Sequence, residues 1–146
     1  MKYHYFIILI ALSALTRFIF FGQPNEVVFD EVYFGPFSSA YSTGAYLFDI
    51  HPPLGKLLIS AAGYLGGFKA DSANYSLIGN AFSDPAYIWY RLLPLLAGFL
   101  LPLIIFRLCL KLRFSLFASF LAGLFIILEN SLLVQSRFIF LDSFFI

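Results

Sequence analysis

Charge is scarce in this chain. Only 12% of its 146 residues are Asp, Glu, Lys or Arg, whereas 61% are hydrophobic. A soluble domain carries about 25% charged residues, so this composition excludes an ordinary soluble globule and makes an integral membrane protein the expected class. Cysteine is nearly missing. Cys109 stands alone in an apolar run, which excludes a disulfide within these residues and a thiolate-based metal site. No P-loop, dinucleotide fingerprint or His/Cys metal pattern occurs, so the sequence offers no cradle for a nucleotide phosphate and no zinc site. Internal repeats and low-complexity tracts are also lacking. Along the apolar runs the polar residues do not follow one stripe, which argues against a channel lining.

What is abundant is apolar length. The run "YFIILIALSALTRFIFFG", Tyr5–Gly22, is long enough to cross a hydrocarbon core of about 30 Å. A cleaved signal peptide would have a shorter apolar region and a small-residue cleavage site; "FFGQPNE" offers none, so this run reads as an uncleaved anchor. Ala86–Phe106 is the second span. Asp84 is placed to cap its start, and Pro85 suits a first helical position. Tyr87, Trp89 and Tyr90 form an interfacial aromatic cluster at that end. Pro94 and Pro102 predict bends that neighbouring helices would have to satisfy. A third span is predicted at about 114–129 and a fourth, incomplete one at 138–146. The chain therefore reads as the N-terminal part of a longer multi-pass membrane domain.

Pro52–Phe68, "PPLGKLLISAAGYLGGF", is apolar but short, and it carries Lys56 and four glycines. Charge decides its placement. Arg107, Lys111 and Arg113 lie close together, and such clusters stay cytoplasmic. With Met1 and Lys2 also inside, that cluster is inside only if Pro52–Phe68 does not cross. It is therefore expected to lie on the outer surface, within an external loop spanning 23–85. This loop holds Glu26, Asp30, Glu31, Asp49, Asp71 and Asp84 against Lys56 and Lys69. Its apolar content predicts amphipathic pieces packed on the membrane face.

The polar residues gather on that side. In "FDEVYFG", Asp30 and Glu31 are adjacent, so they point in different directions on a helix or a strand. One can face a reaction centre while the other orients it or pairs with a cation. Buried beside Phe29, Tyr33 and Phe34, a carboxylate could serve as general base; two acidic residues in a first helical turn are the plainer reading. In "DIHPPLGK", two prolines force an extended approach and then permit a helix start. This places Asp49 and His51 near a helix N-terminus, where N–H groups favour an anion, and Lys56 adds charge. A capped surface helix with a snorkelling lysine explains the same spacing. Arg17, Arg91 and Arg137 lie within or at the ends of the apolar runs, where burial at mid-bilayer costs at least about 2.5 kcal/mol. Snorkelling accounts for each singly. Under the predicted orientation all three fall beside the acidic loop, an arrangement suited to a lipid phosphate and an acid–base centre. "NYS" at Asn74–Ser76 fits a glycosylation sequon, a triplet that also arises by chance.

Four pieces, "FDEVYFG", "FDIHPPLGKLL", "YRLLPLLAG" and "ENSLLVQSRFIFLDS", resemble in order and spacing the N-terminal pattern of the protein O-mannosyltransferases that use dolichyl- or polyprenyl-phosphate-mannose. The resemblance covers nearly the whole chain. It implies an all-α, multi-span membrane fold of the GT-C glycosyltransferase type, with membrane-lying helices in the first external loop. It implies that Asp30 takes the proton from an acceptor Ser or Thr and that Glu31 supports activity or acceptor positioning. Arg91 would lie near the donor phosphate, with Arg17 a weaker match. His51, Lys56 and Arg137 fit the pattern as donor- or substrate-binding residues.

The hydroxyl would then attack the anomeric carbon opposite the lipid phosphate, with inversion. The implied partners are a polyprenyl-phosphate-linked sugar, secreted or membrane protein acceptors and the bilayer. No nucleic acid, nucleotide sugar, metal or other cofactor is implied. Tyr33 stands where eukaryotic members usually have His, the tail before the first span is short, and "LEN" replaces the commoner "FDN" at 128–130. These departures point to a prokaryotic plasma membrane rather than the endoplasmic reticulum. Two alternatives remain: transfer to a glycolipid or cell-wall glycan, and a non-catalytic membrane subunit or transporter. The second gives no reason for the acids and arginines to share one side.

Overall fold

A computed structural model of the chain describes residues 2–142. The order is α1 (Lys2–Phe18), α2 (Glu31–Thr43), α3 (Pro53–Leu65), α4 (Ile88–Lys111), α5 (Leu116–Leu128) and α6 (Asn130–Gln135), with 3-10 turns at Ala70–Ser72 and Pro85–Tyr87. The described residues are thus mostly helical, with one isolated bridge between Glu26 and Ala81.

Pro85–Lys111 forms one 27-residue helical run, about 40 Å at 1.5 Å per residue, and is apolar enough to cross a membrane. The Asp84 carboxylate accepts from the Ala86 N–H at 2.9 Å, and Pro85 follows it, so the start is set as its local sequence dictates. The other two apolar helices are shorter than the stretches read as spans. α1 ends at Phe18 because the chain turns there: Phe20 has φ +57° and Gly22 φ +84°. α5 starts when Ser115 Oγ accepts from the Ala118 N–H, and it stops at Glu129, whose extended backbone breaks the helix. Glu129 then caps α6 through the N–H groups of Ser131 and Leu132. The fourth predicted span differs as well. Phe138–Leu141 is a bent, buried segment, and most of what would follow lies outside the described residues.

α1, α4 and α5 pack together around Leu9, Leu103, Phe106 and Ile127. Gly123 permits the close approach: a methyl there would lie 2.9 Å from Leu9 and 3.0 Å from the Pro102 carbonyl oxygen. A second core sits at the end where α1 finishes and α4 begins. It joins Val27, Phe34, Ile59, Tyr75, Tyr90 and Ile139 from the 23–85 segment, α4 and the chain after α6. There α3 buries Ile59, Ala62 and Gly63 on one face while Leu54, Leu57 and Leu58 stay exposed on the other.

Candidate active site

The centre of the second core is an ion pair. Arg91 lies one turn into α4 and Glu31 opens α2; both side chains are 0% exposed. Nε of Arg91 donates to Glu31 Oε1 at 2.8 Å and Nη2 donates to Oε2 at 2.7 Å, a two-pronged contact. The remaining N–H directions are also taken, by the carbonyls of Gly22 (3.3 Å), Pro24 (2.7 Å) and Glu26 (2.7 Å). A guanidinium has five donors, and all five are spent. The rings of Tyr87 and Phe138, each 5.0 Å from the Arg91 Cζ, and Phe82 at 5.3 Å enclose it. Glu31 is equally saturated, because Oε2 accepts from the Val28 N–H (2.8 Å) and Oε1 from the Ile139 N–H (2.9 Å).

Two expectations bear on this pair. Arg91, read as a phosphate ligand, has no donor left for a phosphate. Glu31, read as part of the catalytic pair, has no access to solvent and no free lone pair of good geometry. Both hold the entrance of α2 in place.

Asp30 is the opposite case. It precedes α2, its backbone carbonyl accepts from the N–H groups of Tyr33 and Phe34, and its carboxylate makes no capping bond. The side chain is exposed rather than buried among Phe29, Tyr33 and Phe34, since Phe29 and Tyr33 are exposed too. It lines an open cavity of ≈ 400 Å³ shared with Phe29, Asn130, Gln135, Phe138 and Asp142. Asp142 lies in the "ENSLLVQSRFIFLDS" piece without a role read for it there, and the fold brings it to the same cavity as Asp30.

In the "DIHPPLGK" segment Asp49 is the hub. It accepts from the Lys56 ammonium, and its other oxygen is 2.8 Å from His51 Nδ1; Lys56 also donates to the His51 carbonyl at 3.1 Å. Burial pushes the Asp49 carboxyl up, but the hydrogen bonds from Lys56 and His51 outweigh it and hold the group at about 2. Lys56, at 3% exposure, is enclosed and committed to Asp49 rather than snorkelling. The His51 side chain is 44% exposed, and its ring packs edge-on against Phe34 at 5.4 Å. With Nδ1 engaged, Nε2 is the free position.

The other arginines end up on this side too. Arg137 donates to the carbonyls of Ile19 and Phe20 at 2.8 and 2.9 Å through Nη2, closing the frayed end of α1. Its other nitrogens make no hydrogen bond among the described residues. Arg17 is fully buried between α1 and α5, donating to Thr16 Oγ1 at 3.1 Å and the Ile126 carbonyl at 3.5 Å, with Nε unpartnered. The structure therefore brings Asp30, Glu31, Arg91, Arg137 and Arg17 to one end, opposite Arg107 and Lys111, which lie beside Tyr3 and Phe6.

Comparison with known proteins fits this geometry to a family. The profile described as Dolichyl-phosphate-mannose-protein mannosyltransferase matches residues 7–146. Protein O-mannosyltransferase 1 of Drosophila pseudoobscura pseudoobscura is 40% identical over 136 residues, covering 92% of this chain and 15% of the relative. Dolichyl-phosphate-mannose–protein mannosyltransferase 4 of Candida albicans is 38% identical over 145 residues, 97% of this chain and 19% of its own length. Among solved structures, the S. cerevisiae protein O-mannosyltransferase Pmt1-Pmt2 complex bound to the sugar donor superposes with a TM-score of 0.90 at 31% identity, over 97% of this chain and 19% of that one. The chain belongs to the dolichyl-phosphate-mannose-protein mannosyltransferase family. It spans between 15% and 19% of the length of these relatives. Further relatives come from mouse, human and fission yeast. These sources are animals and fungi, so the prokaryotic plasma membrane read from Tyr33 and "LEN" finds no support.

Proposed function

We propose that this chain supplies the catalytic carboxylate of an enzyme that transfers mannose from a polyprenyl-phosphate donor to Ser or Thr hydroxyls of proteins. The observation that carries the reading is the division between two adjacent acids. Glu31 is saturated by Arg91 and two backbone N–H groups, while Asp30 opens unpaired onto the cavity. A general base needs an unengaged lone pair within reach of substrate, and of these two adjacent acids it is Asp30 that has one.

In this reading Asp30 accepts the hydroxyl proton as the oxygen attacks the anomeric carbon. The lipid phosphate leaves from the opposite face with the bonding pair, inverting the configuration. Charge growing on that phosphate needs preorganised donors. Arg91 is spent, which leaves the free nitrogens of Arg137 for that role; His51 would donate from Nε2 only as an imidazolium paired with Asp49, which Lys56 holds in place, and Arg17 acts through packing. The segment 23–85 faces away from the cytosol, with α1, α4 and α5 crossing the bilayer in alternation. The family's animal and fungal relatives favour the endoplasmic reticulum membrane.

Replacing Asp30 by Asn in the full-length protein tests this. Mannose transfer to a Ser/Thr peptide should fall by at least a hundredfold, a usual scale for removing a general base, while expression, melting temperature and donor binding remain. Retained turnover would remove Asp30 from the chemistry.

A further inference from the structure

Asn74-Tyr75-Ser76 is an Asn-x-Ser triplet without Pro at the middle position. The structure sorts its three side chains by role. Tyr75 is 7% exposed and wedges against α2, where a methyl on Gly35 would lie 2.1 Å from its ring. Asn74 and Ser76, on either side, are exposed. The triplet is therefore pinned by its middle residue, and its two reactive positions face outward.

Asn74 forms an Asx turn: its Oδ1 accepts from the Ser76 N–H at 3.0 Å. The turn is braced by Asn80, whose Nδ2 donates to the Asn74 carbonyl at 3.0 Å and approaches Ser76 Oγ at 3.4 Å. Only the carbonyl half of the Asn74 amide is used. Its Nδ2 makes no hydrogen bond among the described residues, although Asn74 lies in a segment rich in acceptors. An asparagine kept solely to stabilise this turn could be Asp or Ser; the free amide nitrogen is what neither can supply.

We propose that Asn74 is an N-glycosylation site, accepting an oligosaccharide from a lipid-diphosphate-linked donor. Nδ2 forms the new bond to the anomeric carbon, the bond from that carbon to the diphosphate oxygen breaks, and the diphosphate leaves with the electron pair. Nδ2 loses one proton to a base, and no oxidation or reduction is involved. Oδ1 remains a carbonyl oxygen, so the Asx turn survives the modification. The proposal shares one premise with the function above, that the 23–85 segment faces away from the cytosol.

The glycan would stand at the edge of the open groove of ≈ 910 Å³ between α2 and the 70–78 segment, lined by Tyr33, Pro36, Ser39, Asp71 and Ile78 as well as Tyr75. A sugar there keeps that face in water, so no further helix of the chain can close over it.

The test is made on full-length protein expressed in a eukaryotic cell, comparing gel migration before and after peptide N-glycosidase. Wild type should carry one glycan more than Asn74→Gln or Ser76→Ala, and Ser76→Thr should keep it. Two variants at separate positions guard against a folding artefact at either. Equal migration of wild type and both variants before digestion would overturn the proposal. A further variant, Gly44→Asn with Tyr46→Thr, places an Asn-Ala-Thr triplet elsewhere in the same segment. If it gains a glycan while Asn74 carries none, the segment still faces outward and only the Asn74 inference falls. If neither is modified, the outward placement used for the transferase reading falls with it.

Discussion

Arg91 and Glu31 stand 60 residues apart in sequence and meet as a two-pronged pair with neither side chain exposed. A buried ion pair seldom adds stability over well-packed apolar groups, because two desolvation penalties offset the attraction. This pair does something else. It satisfies four backbone groups that have no other partner among the described residues, the carbonyls of Pro24 and Glu26 and the N–H groups of Val28 and Ile139, and shares the Gly22 carbonyl with the Tyr87 hydroxyl. Irregular chain can thus run through a buried core, and it delivers Asp30 at a defined place.

Glu31→Gln should destabilise the protein by about 3–5 kcal/mol, since Arg91 would keep a buried charge without a counter-ion. For an isolated pair, replacing both residues by apolar ones restores much of such a loss. Here Glu31→Met with Arg91→Met should not recover it, because the backbone groups lose their partners as well. Detergent melting curves of the two variants decide the matter. A double variant as stable as wild type would show that the pair has no scaffolding role.

Gly63→Ala should be harmful despite gaining about 1 kcal/mol of helix propensity. The added methyl would lie 2.0 Å from the ring of Tyr90, which is buried and packed edge-on against Phe68 at 4.7 Å. Overpacking of this kind costs about 1–3 kcal/mol, so the net effect is a lower melting temperature. In a Tyr90→Leu background the same substitution should be tolerated; an equal penalty in both backgrounds would point away from this contact.

Asp49 predicts an acid-sensitive contribution to stability. Its carboxyl is held at about 2 against burial by Lys56 and His51, and an unfolded chain titrates it near 3.9. The folded value is the lower one. The stabilisation is therefore complete above pH ~4 and drains away as pH falls through that window towards about 2. Wild type should melt higher than Asp49→Asn at neutral pH, and the gap should narrow on acidification between those limits. A gap independent of pH would mean that the contact contributes through packing alone.

Much of the fold's outline can be read from local sequence because helices are local. Asp84-Pro85 and Ser115 start helices where capping rules place them, and Pro53–Leu65 is helical between prolines and glycines. The ends of α1 and α5 are less legible. Apolar residues continue past Phe18, yet the turn through Phe20 and Gly22 is imposed by Tyr87, whose hydroxyl donates to the Gly22 carbonyl. The acid pair is marked by composition, but its division of labour is not. Which of Asp30 and Glu31 is buried depends on Arg91 and on Ile139, 108 residues away from Glu31. The surroundings of Arg91 are illegible for the same reason: its carbonyl partners Gly22, Pro24 and Glu26 lie far away in sequence and leave no local mark. His51 and Lys56 are neighbours by motif, whereas Asp49 as their common acceptor becomes visible only when the extended chain before the prolines folds back.

The hydrogen bond from Ile139 to Glu31 also sets an order of events during biosynthesis. Translation delivers Glu31 first and Arg91 sixty residues later, yet the last donor to this carboxylate emerges only after α5 and α6 have been made. Until then Glu31 lacks one of its hydrogen-bond donors, and the neighbouring Asp30 has no wall of Phe138 and Phe140 beside it. That side of the cavity is therefore walled only once the α5–α6 hairpin and the segment after it have been made.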